Sequence, residues 1–120
     1  MKRRILVVDD TLAIRMFACF ILQKAGYEVV EMDTATLALV YLKENIIDLI
    51  ITDMNMPELS GIDLIAEVRS SEQHAAVPVI GISAADHAAE FVAAGAHSFV
   101  DKMNIDTRLV SAVNELLKAA

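Results

Sequence analysis

Apolar residues along the chain follow two rhythms. Short unbroken runs rich in β-branched residues occupy positions 5–8, 27–32, 49–52, 79–83 and 98–100. Longer stretches with helical spacing lie between and after them, at roughly 12–25, 34–44, 62–70, 85–94 and 107–118. A strand that is hydrophobic at consecutive positions needs cover on both faces, which is the signature of a parallel sheet between helices. Five such units predict a doubly wound α/β domain of three layers, with five strands and five helices. The last helix carries Leu109, Val113, Leu116 and Leu117 on one stripe, with Arg108, Ser111, Glu115 and Lys118 off it. Gly26 and Gly95 follow helices where a left-handed residue closes the last turn, and Pro57, Gly61 and Pro78 mark loops.

Composition narrows the class. The 120 residues suit one domain with a single core, expected to span 1–120 with no output domain. With 56% hydrophobic but only 5% aromatic residues, that core should be aliphatic and alanine-rich. A net charge of −7 argues against direct binding to nucleic acid or to an anionic membrane. The lone cysteine, Cys19, excludes an internal disulfide and suits a reducing compartment. Lys2, Arg3 and Arg4 precede an apolar run too short for a signal peptide or a spanning helix. The expectation is a cytoplasmic protein, monomeric or weakly dimeric.

The chemistry sits at the ends of the apolar runs. Asp9 and Asp10 follow the first, and Asp53 follows the third. An unpaired buried carboxylate is costly, so acidic residues just past buried strands are not packing residues. In open α/β sheets, ligands bind beyond the carboxyl ends of the strands. Ser83 and Lys102 stand at two further strand ends, whereas Asp33 reads as the N-cap of the second helix. Three carboxylates a few ångströms apart repel by about 3 kcal/mol per pair at an effective dielectric near 20. Lys102 offsets one charge and a divalent ion the other two; hard oxygen ligands favour Mg²⁺. A carboxylate beside a metal, an ammonium and a hydroxyl is equipped to attack phosphorus. The product, an acyl phosphate, is labile and suits a reversible signal.

Ordered motifs run the length of the chain: Ile5-Leu6-Val7-Val8-Asp9-Asp10, Asp48-Leu49-Ile50-Ile51-Thr52-Asp53-Met54-Asn55-Met56-Pro57, Gly61, Pro78-Val79-Ile80-Gly81-Ile82-Ser83-Ala84, Ala94-Gly95-Ala96 and Phe99-Val100-Asp101-Lys102. With these the chain resembles a response-regulator receiver domain of two-component signalling, similar to the single-domain chemotaxis regulators. The resemblance implies a flavodoxin-like sheet of order 2-1-3-4-5, the order known for the chemotaxis regulator itself. It implies that Asp53 accepts a phosphoryl group from the phosphohistidine of a sensor kinase or a histidine phosphotransfer protein. Asp10 would bind Mg²⁺ directly, Asp9 mostly through water, and Asn55 through its backbone carbonyl. Lys102 would pair with Asp53 and hold a phosphoryl oxygen. Ser83 would swing in to the phosphoryl group, and Phe99 would turn into the space it leaves. That remodels the face made by the fourth helix, fifth strand and fifth helix, which would control a downstream protein or output domain. Such a switch catalyses only its own phosphorylation and dephosphorylation.

Other features depart from that pattern or add to it. Lys102 is followed by Met103, where the family usually has a cis proline. A cis bond to a non-proline residue costs about 2.5–4 kcal/mol, so a trans bond is expected, or a strained one with a slightly displaced lysine. The fourth helix should be short, with Ala85, Ala88, Ala89, Ala93 and Ala94 giving a flat surface. On the first helix, Ala13, Ile14, Phe17, Ala18, Ile21 and Leu22 read as the core stripe. Leu12, Met16, Cys19 and Phe20 lie opposite, a candidate patch for partner docking or self-association. His74, His87 and His97 read as surface or turn residues, without ligand spacing. Two alternatives stay open: a phosphate-independent receiver-like binding module, and a phosphohydrolase of the haloacid-dehalogenase kind. The latter wants a second aspartate two residues after a nucleophile on the first strand, which Asp9-Asp10-Thr11 does not supply.

Overall fold

A computed structural model describes residues 2–118. Five strands alternate with helices: β1 Arg4–Val8, α1 Leu12–Lys24, β2 Glu28–Met32, α2 Ala35–Glu44, β3 Leu49–Asp53, α3 Gly61–Ser70, β4 Val79–Ser83, α4 Ala88–Ala94, β5 Ser98–Asp101 and α5 Ile105–Leu117. A 3₁₀ turn, Lys102–Asn104, joins β5 to α5. All strand pairs are parallel, in the order β2-β1-β3-β4-β5. The fold class and strand order expected from the sequence are those observed.

Strand alternation splits the interior into two layers. Leu6, Val8, Ile50 and Val79 face α2, α3 and α4, against Ala38, Leu42, Leu64, Val68 and Phe91. Ile5, Val7, Leu49, Ile51, Ile80 and Ile82 face α1 and α5, against Ala18, Leu22, Leu109 and Val113. Both sheet faces are therefore dry, as the unbroken apolar runs require. Phe91 is fully buried and lies over Gly81, where an added Cβ would sit 2.4 Å from its ring.

Local chemistry sets the boundaries. Gly26 and Gly95 have φ of 101° and 113°, as helix-closing glycines should. Ser60 and Asp63 form a reciprocal capping box at the start of α3. Gly61 is thus the first helical residue, not part of a loop. Asp33 is not the N-cap of α2; Thr34 is, its side chain accepting the Leu37 N–H at 3.1 Å. The fourth helix starts at Ala88, three residues later than the alanine pattern suggests. Ala85 and His87 are held in a turn instead, through Ala85 N–H to Ser83 Oγ and His87 N–H to Ala85 O. The fifth helix conversely starts two residues early, at Ile105, whose side chain belongs to the core.

Two expectations about surface residues need correction. His74 sits in a turn, as read, but is buried rather than exposed; it lines a groove of about 600 Å³ between α2 and α3, away from the strand ends. Cys19 lies in the core with its Sγ toward Glu31, while Phe17, assigned to the core stripe, is exposed. Seven residues turn an α-helix through about 700°, so Cys19 falls some 20° short of the Leu12 row, on the side that meets β2. Leu12, Met16, Phe17 and Phe20 are 58%, 58%, 42% and 61% exposed and make one continuous apolar face.

Candidate functional site

Strand register assembles the site. Val8 pairs with Thr52, so Asp9 emerges beside Asp53. Asp53 pairs with Ile82, which puts Ser83 one step beyond it. Ser83 pairs with Asp101, so Lys102 leaves the same edge. The chain runs outward from β1 to β2 and then crosses to β3, so the reversal of strand order falls between the strands that carry Asp9 and Asp53. Ligand sites of doubly wound sheets lie at that point.

The side chains converge as the sequence pattern requires. Asp9, Asp10 and Asp53 each present a carboxylate oxygen, all within 4.8 Å of one another. Lys102 Nζ stands 3.0 Å from Asp9 Oδ2 and 3.2 Å from Asp53 Oδ1. Asp53 is 5% exposed and Asp9 is fully buried, while Asp10 faces solvent. Backbone groups hold the carboxylates in place. Met54 N–H donates to Asp53 Oδ1 at 2.8 Å, and Thr11 N–H donates to Asp9 Oδ1 at 2.8 Å. Arg15 anchors the turn from β1 by donating to the Asp9 carbonyl at 2.8 Å while also meeting Glu31.

Electrostatics are under strain. Burial pushes the Asp53 carboxyl above its ordinary range, and Asp9 adds to this; Lys102 and the Met54 N–H oppose it. Burial works against the Lys102 ammonium, but the two carboxylates outweigh it and raise its pKa. Asp9 Oδ2 is buried without an aligned hydrogen-bond donor, its lysine contact being one of charge. One ammonium facing three carboxylates leaves two negative charges unbalanced. An orphaned buried oxygen within a set of hard oxygen donors fits a small divalent cation.

The remaining candidates fall around this cluster. Ser83 is 3% exposed at the end of β4. Asn55 is exposed, two residues past Asp53, in the loop before Pro57. In that loop Glu58 is the one non-glycine residue with positive φ among the described residues, at 71°. Phe99 is half-buried against the α4 side of the core, its ring centroid 5.8 Å from that of Phe91. The Lys102–Met103 bond is trans, as expected, since no peptide bond described is cis. The lysine still reaches both carboxylates. Methionine brings an N–H that proline lacks, and Asp101 accepts it at 2.9 Å.

One contact and two residues were not assigned from the sequence. Lys102 bridges Asp9 as well as Asp53. Gly61 does more than punctuate: a Cβ there would lie 2.0 Å from the Asp53 carbonyl, and its N–H donates to Met54 O at 2.8 Å. A glycine one residue into a capped helix was the available signal. His87, read as a turn residue, contacts Ser83.

Comparison with known proteins agrees with this geometry. Residues 5–114 match the response regulator receiver domain, and the chain belongs to that family. It is 37% identical over 122 residues to the chemotaxis protein CheY of Thermotoga maritima, covering 98% of this chain and 100% of that protein. It is 38% identical over 81 residues to the CAI-1 autoinducer sensor kinase/phosphatase CqsS of Vibrio cholerae, of which it spans only 12%. Among solved structures, the response regulator TrrA of Thermotoga maritima, in complex with Mg²⁺ and beryllofluoride, superposes with a TM-score of 0.87 at 30% identity. That match covers 96% of this chain and 99% of TrrA. Among the described residues no helix is long and apolar enough to cross a membrane.

Proposed function

We propose that the chain is a phosphorylation-activated signalling switch in which Asp53 accepts a phosphoryl group from a partner's phosphohistidine. The observation that carries this reading is the contact of Lys102 with both Asp9 and Asp53 inside a three-carboxylate cluster at the sheet's switch point. Asp53 Oδ1 takes both the Met54 N–H and the lysine, which leaves Oδ2 to attack phosphorus. The new bond joins Oδ2 to phosphorus, the donor's P–N bond breaks, and its electron pair stays on the imidazole nitrogen, which takes a proton from solvent. Lys102 neutralises charge on a transferring oxygen, and Ser83 turns to donate a hydrogen bond to the product. Asp9, Asp10, Asp53 and the Asn55 carbonyl would hold Mg²⁺, which supplies further neutralisation of the phosphoryl oxygens when bound. No metabolite is turned over.

The apolar face of Leu12, Met16, Phe17 and Phe20 on α1 flanks this edge and suits the docking of a histidine-bearing helix. The output is a change in the α4–β5–α5 face, with Phe99 moving as Ser83 leaves, read by a downstream protein. The test is amide NMR with Mg²⁺ and beryllofluoride, a phosphoryl mimic. Shifts should spread from Asp53 to Phe99 and α4. Shifts confined to the carboxylates would favour a passive ion site, and no shifts at all would favour a phosphate-independent binding module.

A further inference from the structure

Ser83 is tethered at the exit of β4. Its Oγ lies 2.8 Å from His87 Nδ1 and accepts the Ala85 N–H at 3.2 Å. His87 occupies the N-cap position of α4 but makes no side-chain cap. Its ring is spent on Ser83 instead, and its carbonyl accepts the Phe91 N–H at 3.0 Å as the first bond of the helix. His87 therefore joins the serine beside the phosphoryl site to the start of the helix on the output face.

A serine hydroxyl has one proton and two lone pairs. If Nδ1 is bare, the Ser83 proton points at His87 and the serine has nothing left to donate. If Nδ1 carries a proton, it fills the second lone pair of Oγ, the first being taken by Ala85. With Nδ1 bare, the Ser83 proton must leave His87 to reach a phosphoryl oxygen on Asp53; with Nδ1 protonated that proton is free, and the contact breaks because Oγ itself swings from the turn toward Asp53. We propose that His87 is a positioning residue for the switch: its imidazole holds Ser83 back in the unphosphorylated state, and phosphorylation must release it. This rests on the reading of Asp53 as the phosphoryl acceptor. Release of Ser83 unties the turn 84–87 from β4, which gives the first turn of α4 a reason to respond to the phosphoryl group.

The test is the affinity for beryllofluoride in saturating Mg²⁺, followed by amide NMR on the whole chain, in a cycle of Ser83 and His87 variants. His87→Ala removes the restraint and should tighten binding about 2- to 12-fold, the range one net hydrogen bond commands. His87→Asn places an amide oxygen where Nδ1 stood and should return the affinity toward wild type. In a Ser83→Ala background, His87→Ala should change nothing, because the restrained group is gone. If His87→Ala unfolds, His87→Gln serves instead; it matches the far ring nitrogen and should behave as a released form. Unchanged or weaker binding by the released variants, or equal tightening with and without Ser83, overturns the assignment. Failure of the wild type itself to bind beryllofluoride would overturn both this inference and the function on which it rests.

Discussion

Replacing Asp53 by asparagine should make the metal-free protein more stable, although it removes the central residue of the site. Asp53 faces Asp9 and Asp10 with oxygens within 4.8 Å. At an effective dielectric near 20, each such pair repels by about 3 kcal/mol, and less for the solvent-facing Asp10. Lys102 at 3.2 Å returns about 5 kcal/mol by the same relation. Near-cancellation leaves the burial of the charge as the deciding effect, in line with the raised Asp53 pKa. Asparagine keeps an acceptor for the Met54 N–H and leaves Lys102 paired with Asp9. We expect Asp53→Asn to gain about 1–3 kcal/mol in urea unfolding at pH 7 without divalent ions. The sign of the pH effect follows. A carboxyl whose folded pKa is raised keeps its proton longer in the folded state, so stability falls as pH rises from the ordinary value of 3.8 through the folded value. The advantage of Asp53→Asn should therefore shrink as pH is lowered through that window and vanish below it. Magnesium should cancel most or all of this advantage at neutral pH, and reverse the order where the advantage is below about 2.7 kcal/mol. At a hundredfold over its dissociation constant it adds about 2.7 kcal/mol to the wild type, and much less to the variant. A variant less stable than wild type in the absence of metal would refute the reasoning, because Lys102 would then more than compensate the cluster.

Other perturbations test other parts of the structure. Gly81→Ala drives a methyl to 2.4 Å from the buried Phe91 ring and should cost about 1–3 kcal/mol in urea unfolding, with Phe91→Leu restoring part of the loss. Gly61→Ala meets the Asp53 backbone carbonyl at 2.0 Å, where nothing flexible can yield. It should cost about 3 kcal/mol or more and slow Asp53 labelling even in the folded fraction. Met16→Glu should cut phosphotransfer from the cognate histidine donor about tenfold while acetyl phosphate labelling stays unchanged. Equal losses from both donors would count against docking on α1.

The layers were legible because buried parallel strands must be apolar at nearly every position, and few other elements give that pattern at this length; the strand order came from the family resemblance, since apolar runs do not say which strands are neighbours. The charged cluster was legible for a related reason: acidic residues at the ends of such strands are not packing residues, and several at one sheet edge need a counter-charge. Geometry that depends on rotation by a few tens of degrees was not. Cys19 and Phe17 exchanged places because the heptad-like row drifts around the helix, and nothing local marks which edge β2 covers. Asp33 lost the capping role to Thr34 because both residues cap well and only the chain's path decides between them. His87 was invisible because its partner, Ser83, is reached through a turn that alanine-rich sequence had suggested was helix. Burial of His74 depends on the packing of a loop against α2 and α3, which has no signature in its own sequence.

The central claim is tested most directly by intact-mass spectrometry after incubation with Mg²⁺ and acetyl phosphate, with Asp53→Asn treated in parallel. We expect the wild type to gain the mass of one phosphoryl group, to lose it on treatment with hydroxylamine, and the variant to gain none. Equal labelling of the variant, or none of the wild type under conditions where Mg²⁺ binding is demonstrated, would contradict the assignment of Asp53 as the acceptor.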